Sequence, residues 1–332
     1  MSAPPITHWI LPFASSLSEP CQHALPRLGQ DPALPHLKQL LQRLHPAERL
    51  EGDEFDLVMP HEKLLAKQMG WPTEQAPWAH WWARQDGVTL DATQPWGMLS
   101  PCHWLMGRDH LTMLDPLALA LTEAQSKAVL DAIRSLFESE GWTLVWGSPN
   151  RWYASHASLG ELPTASLDRV IGRNPDVWLT DHAQARLIRR LQSEVQMVLY
   201  QHALNDERQE NGQLTVNSFW LSGCGQMPDA AAPRPAQTDQ HIQLITTLRQ
   251  PLVSDDMPAW LEAWAKLDAT VLKDALAQLD AGEPIALTLC GERHAQTWRP
   301  AEVRTWADQL KQTAKRLLPK TKPDLPALLK DL

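Results

Sequence analysis

The order of apolar runs predicts an α/β protein with an α+β middle. Short apolar runs alternate with helical leucine spacing at the start of the chain and again at its end, whereas roughly 96–205 mixes hairpin patterns with two long helices. The chain has 332 residues, 43% hydrophobic and 21% charged, which is enough for a real core in one or two domains and argues against global disorder.

The elements follow in order. "ITHWILPF" (6–13) is short and apolar, as a buried strand is. In 32–44, Leu37, Leu40, Leu41 and Leu44 keep helical spacing, and a second helix is expected from Pro60, a residue tolerated in a first turn. Two short apolar runs flank Gly107-Arg108-Asp109 and predict a hairpin. The helix expected over 121–142 opens on a capping box, Thr122 with Gln125. It carries Ala128, Val129, Ala132, Ile133, Leu136 and Phe137 as its apolar stripe and closes at Gly141. "WTLVW" and "NRWYAS" read as strands around a Ser-Pro-Asn turn. A second long helix is expected over 181–204, capped by Asp181 and Gln184, followed by a polar turn over 205–212 and a strand at 217–225. The Pro- and Ala-rich 227–239 reads as a flexible linker. Beyond it come a strand at "HIQLITTL", a long helix from Met257, a hairpin turning at Gly291-Glu292, and a basic tail expected as a solvated helix.

Composition excludes several functions. The formal charge of −9 disfavours broad nucleic-acid or anionic-membrane binding, which leaves a small anionic ligand or a protein as partner. Cys21, Cys102, Cys224 and Cys290 show no CxxC spacing, so reduced thiols in a cytoplasmic protein are expected rather than a zinc site. The first residues lack a basic n-region and a long apolar run, and no stretch nears the ~20 apolar residues of a membrane span. The 16 Trp far outnumber the 2 Tyr and 4 Phe, so Trp takes over as the large core residue; Trp260 and Trp264, four apart, share a helix face. Exposure of Trp78, Trp81 and Trp82 would instead mark an interaction surface.

The phrases "RDHLTML", "LTEAQSKAVLDAI", "RWYASH", "LPTASLDRVIGRN" and "LQSEVQMVLYQHALNDERQENGQLTVNSFWLSGCG" resemble a proteobacterial family whose members are named regulatory protein or phosphoglycerate mutase-related protein. More distantly, "HALNDERQENG" followed by "NSFWLSGCG" is similar to cofactor-independent phosphoglycerate mutases of the archaeal type. The resemblance implies a degenerate alkaline-phosphatase-like sheet domain formed by 1–95 and 206–332, with an α+β domain, 96–205, inserted. It also implies two-metal phosphotransfer chemistry, in which paired cations clamp phosphate oxygens and activate a serine.

The residues oppose that chemistry. Such enzymes place an Asp just after the first strand; here the strand runs into "WILPFASS", which offers only Ser15, Ser16 and Ser18. Asp255 and Asp256 sit where a helix begins and read as caps, and the 13 His show neither HxH nor HExxH spacing. No catalytic residue, metal ligand or cofactor is therefore expected, and a regulatory or ligand-binding pseudoenzyme is the reading. The candidate ligand residues are Asn205 and Arg208 in an N-x-x-R passage, Asn217, Ser218 and Ser222 on the strand, and Gly223 and Gly225 at its end. Gly223-Cys224-Gly225 opens into no helix, so it is no phosphate loop. A minority reading groups Arg169, Arg173 and the run Arg186, Arg189, Arg190 with Trp152 or Trp178 as a nucleic-acid surface.

Overall fold

Ile6–Leu11 extends as β1, with the apolar half of "ITHWIL" fully buried. In the computed structural model, which describes residues 6–108, 111–228, 240–301 and 323–332, this strand lies inside a five-stranded sheet, one place from its edge. β9 (Gln240–Leu244) and β10 (Ile285–Cys290) run parallel to it on either side. β11 (Ala295–Arg299) and β2 (His45–Leu50) then add antiparallel, giving the order β2-β11-β10-β1-β9. Every residue of β10, "IALTLC", is buried, as a strand covered on both faces requires. β2, "HPAERL", is a solvent-facing edge whose proline and charges hide it from any strand pattern.

The helices of this unit are α1 (Glu19–Gly29), α2 (Pro35–Arg43), α9 (Arg249–Val253), α10 (Met257–Leu267), α11 (Lys273–Asp280) and α12 (Leu325–Lys330). Trp260 and Trp264 are both fully buried and meet edge to face at 6.2 Å, the core role their spacing implies. A single π-turn, Asp268–Leu272, interrupts the long helix between α10 and α11. It aims Asp268 at the start of α2, where Oδ1 accepts the Leu37 N–H at 2.8 Å and Oδ2 the His36 N–H at 3.2 Å. The residue preceding α2, Leu34, has no side chain that can cap, so the carboxylate comes from across the unit. The described part of the tail is not solvated: Leu325, Leu329 and Leu332 are buried and α12 packs on α1.

The other unit holds a four-stranded antiparallel sheet in the order β6-β7-β3-β8: β3 is Trp96–Cys102, β6 Thr143–Ser148, β7 Arg151–Ser155 and β8 Ser218–Gly225. β4 (Trp104–Met106) and β5 (Leu111–Met113) form the expected hairpin; Asp109 lies outside the described residues. α5 (Glu123–Glu138) has the full capping box, with Gln125 N–H to Thr122 Oγ1 at 3.2 Å and Thr122 N–H to Gln125 Oε1 at 3.1 Å. Its buried stripe is Ser126, Val129, Leu130, Ile133 and Phe137, turned away from Ala128, which is exposed. Ser126 is carried inside because its hydroxyl accepts from both Trp146 Nε1, at 3.1 Å, and Trp152 Nε1, at 2.9 Å. α5 and α7 (Ala185–Tyr200) cover one face of the sheet. α3 (Pro60–Met69), α4 (Trp78–Gln85), α6 (Leu167–Val170) and α8 (Ala203–Glu210) complete this unit.

Three expectations change. The units divide as Met1–Glu54 with Ala236–Leu332, and Phe55–Pro235, so the insertion is wider than 96–205. The reason is β8: it pairs with β3, from Trp96 opposite Gly225 to Cys102 opposite Ser218, and joins the inner sheet rather than the outer one. The segment 205–212 is mainly helix, α8, not a turn; His202 caps it, its Nδ1 accepting the Leu204 N–H at 3.2 Å. α7 starts at Ala185 without a side-chain cap, and Asp181 stands exposed before it. Of the 227–239 linker, 229–239 lies outside the described residues.

Candidate functional site

In an open sheet, ligands bind at the carboxyl ends of parallel strands where neighbouring connections diverge. In the outer unit that place is the end of β1, between β9 and β10. The chain leaves β1 through Phe13 at φ 61°, and the Ala14 N–H bonds Cys290 O at 2.9 Å. Ser15 is buried. Ser16 Oγ lies 3.1 Å from Ser18 Oγ, which caps α1 and donates to Asp255 Oδ1 at 3.0 Å. Glu292, buried at the β10–β11 turn, accepts the Leu17 N–H at 2.8 Å. Cys21 Sγ accepts the Ser16 N–H at 3.3 Å; burial pushes its thiol up, and the charges of Asp255 and Glu292 add to the rise. Asp256 caps α10 through the Ala259 N–H at 3.1 Å, as its position implies. The edge thus gathers hydroxyls, a thiol and two carboxylates.

This donor set does not fit a two-metal centre. Both carboxylates accept hydrogen bonds that fix the turn after β1 and the start of α1. Among the described residues no three His, Cys, Asp or Glu side chains are grouped to hold a metal ion.

The residues singled out by sequence lie in the inner unit. Asn205 is buried; its Nδ2 donates to Leu199 O at 2.8 Å and Val216 O at 2.7 Å, and its Oδ1 accepts the Val216 N–H at 2.9 Å. Arg208, 1% exposed, donates to Leu214 O at 2.7 Å, Leu119 O at 2.5 Å and Gln125 Oε1 at 3.1 Å. Asn217 exchanges both amide bonds with the Trp104 backbone, at 2.7 and 3.0 Å. These three side chains fasten α8 and the hairpin to the segment that leads into β8. Ser218 and Ser222 are buried on the other face of β8 from Phe219 and Leu221, and neither hydroxyl has a hydrogen-bond partner among the described residues. Gly223 has φ 61°, and a Cβ there would stand 2.8 Å from Met98 Cε; a Cβ on Gly225 would stand 2.8 Å from Gln75 O. Both glycines serve the close approach of α4 and the segment before it.

β8 has a free edge. A cleft beside it is lined by Leu162–Ala165, Trp178, Thr180, Gln192 and Trp220, and its cavity volume of about 20 Å³ has room for about one water, not a metabolite. Gln192 Nε2 donates to Phe219 O on that edge at 3.2 Å.

The arginines do not form one surface. Arg169 is buried, Arg189 bonds Leu179 O and Thr180 O, and Arg190 pairs with Glu140 at 2.6 Å. Trp152 and Trp178 are buried and offer no platform for bases. Trp78 is buried, Trp81 half-buried against Trp71, and Trp82, 39% exposed, carries the Arg151 guanidinium over its ring at 4.7 Å. One contact has no signal in sequence spacing: Glu62 with Ser166, 104 residues apart.

No described helix is long and apolar enough to cross a membrane. No family model matches the chain, and no curated protein does. Among solved structures, the PH0037 protein from Pyrococcus horikoshii is similar over 92% of this chain and 90% of its own, at 11% identity and a TM-score of 0.46. A cofactor-independent phosphoglycerate mutase from Thermoplasma acidophilum DSM 1728 is similar over 98% and 99%, at 12% identity and a TM-score of 0.34. At these scores the mixed α/β class rests on the sheets themselves.

Proposed function

We propose that the chain is a non-catalytic regulatory or ligand-binding protein, soluble and cytoplasmic, on a phosphoglycerate-mutase-like scaffold without the metal centre. The observation that carries this reading is the end of β1. Where two-metal phosphotransferases need free acids, the acids that arrive, Asp255 and Glu292, bond the Ser18 hydroxyl and the Leu17 N–H. Scaffold likeness cannot replace such ligands. Of the two partner classes, a protein is favoured over a small anion. Arg208 spends its donors inside the fold, while Met197 and Tyr200 on α7 and Leu105 and Met106 at the hairpin face solvent.

A second reading is an active mutase or phosphohydrolase, favoured by one contact: a serine hydroxyl held by a carboxylate at the strand ends, Ser18 with Asp255. Incubation of the purified protein with Mn²⁺ or Zn²⁺ and 3-phosphoglycerate separates the two. The proposal expects neither stoichiometric metal nor phosphoserine; formation of phosphoserine at Ser15, Ser16 or Ser18 would replace it with the second reading.

A further inference from the structure

The two larger sheets end in β2, β9, β6 and β8. A sheet edge is a row of unpaired backbone groups, and proteins guard it with charge, proline or side-chain cover. β2 carries Pro46, Glu48 and Arg49 along a solvent-facing edge. On β6, Leu144 O accepts Arg134 Nη1 at 3.2 Å. On β8, Phe219 O accepts Gln192 Nε2 at 3.2 Å, and the Cys224 N–H reaches Thr164 Oγ1 at 3.5 Å. β9 has no such guard among the described residues: the run 240–248, "QHIQLITTL", contains no Asp, Glu, Lys, Arg or Pro.

β9 follows β1 from Ile6 opposite Gln240 to Ile10 opposite Leu244, and the Ile245 N–H bonds Ile10 O at 2.9 Å. Alternate residues of a strand turn their N–H and C=O groups to opposite sides. His241, Gln243 and Ile245 therefore face β1, while Gln240, Ile242 and Leu244 turn their backbone groups outward. Those of Ile242 and Leu244 meet no partner among the described residues. The Leu244 side chain is 40% exposed, on the same sheet face as half-buried Ile242.

We propose that β9 is the seam of a homodimer, in which two copies pair their β9 strands antiparallel across a two-fold axis and join their five-stranded sheets into one. Centring the axis on Ile242 sets that residue opposite its own copy and Leu244 opposite Gln240 of the partner subunit. The outward groups of the strand are then all bonded, and Ile242 and Leu244 gain apolar neighbours across the seam. Charge selects a second copy over a foreign strand. At a two-fold axis a charged residue meets its like, whereas a foreign strand is chosen by complementary charge. A neutral run suits the first and offers nothing to the second. The pairing needs no ligand and stands whether or not the chain is regulatory.

Sedimentation equilibrium of the full chain from about 5 µM to about 500 µM tests this, in about 0.15 M salt to screen the repulsion between two chains of formal charge −9. The average mass is expected to climb from monomer toward dimer and no further, since a two-fold seam closes on itself. Leu244→Pro removes an outward N–H and leaves the ladder to β1 whole; it is expected to raise the dissociation constant at least about tenfold. Leu244→Lys, which sets a charge at the seam, is expected to do the same. Under mild oxidation Ile242→Cys is expected to give a covalent dimer, because the Cα atoms of a hydrogen-bonded pair stand about 5.5 Å apart, and the native thiols are all buried. Gln243→Cys, out of register with its own copy, is expected to give little. A wild type that stays monomeric throughout, or a dimer that neither Leu244 variant weakens, overturns the proposal. Cross-linking of Gln243→Cys as fast as Ile242→Cys overturns it too. Should Leu244→Pro not fold, Leu244→Lys alone decides the comparison.

Discussion

Arg208 looks like a ligand clamp in sequence and behaves as a rivet in the structure. A guanidinium is a planar fork that suits a carboxylate or phosphate, yet here its donors meet Leu214 O, Leu119 O and Gln125 Oε1. Gln125 also closes the α5 capping box, so one residue joins α5, α8 and the segment that leads into β8. Removing the fork leaves buried carbonyls unpaired, and Arg208→Ala is expected to lower stability by about 2–4 kcal/mol in urea unfolding. Arg208→Lys is expected to recover less than half of that loss, since an ammonium cannot span the three acceptors. An Arg208→Ala variant as stable as the wild type would return the residue to the list of ligand groups. Asn205 belongs to the same scale: its bonds to Leu199 and Val216 occupy both amide donors and one acceptor site of its oxygen.

At the scale of elements, local signals were legible and distant ones were not. The capping box at Thr122, the start at Pro60, the hairpins at 107 and 291 and the helix of Trp260 and Trp264 all rest on residues a few positions apart, and each stands where its pattern implies. The sequence reads α8 as a turn because "NDERQENG" is polar throughout and has no apolar stripe, although Glu207, Arg208, Gln209 and Glu210 are good helix formers. Its helical state comes from tertiary contacts made by Asn205 and Arg208. β2 escaped because an edge strand with Pro46 keeps no alternation. The cap of α2 was invisible for the same kind of reason: Asp268 stands 231 residues from Leu37. Its carboxylate answers the first N–H groups of α2 and explains why a π-turn is kept within an otherwise regular helix. Asp268→Ala is expected to cost about 1–3 kcal/mol of stability by thermal or urea unfolding. An unchanged midpoint would mean that water caps α2 equally well.

At the scale of the whole molecule, four thiols lie within the two cores. Cys21, Cys102, Cys224 and Cys290 are all buried and free, and burial raises the pKa of each. A thiol reagent is therefore expected to find almost no reactive group in the native protein and 4 in denaturant; fast labelling of a native cysteine would contradict the packing described. The expected insertion of 96–205 came from the family resemblance, and the sequence carries no local signal that β8 pairs with β3, because that pairing joins residues more than a hundred positions apart. The claim on which the functional reading turns is the chemistry at the end of β1. Its most direct measurement is titration of the purified, chelator-treated protein with Mn²⁺ and Zn²⁺ by calorimetry. No binding tighter than about millimolar is expected from carboxylates already engaged with Leu17 and Ser18. Two equivalents bound at micromolar affinity, lost in Asp255→Asn or Glu292→Gln, would contradict it.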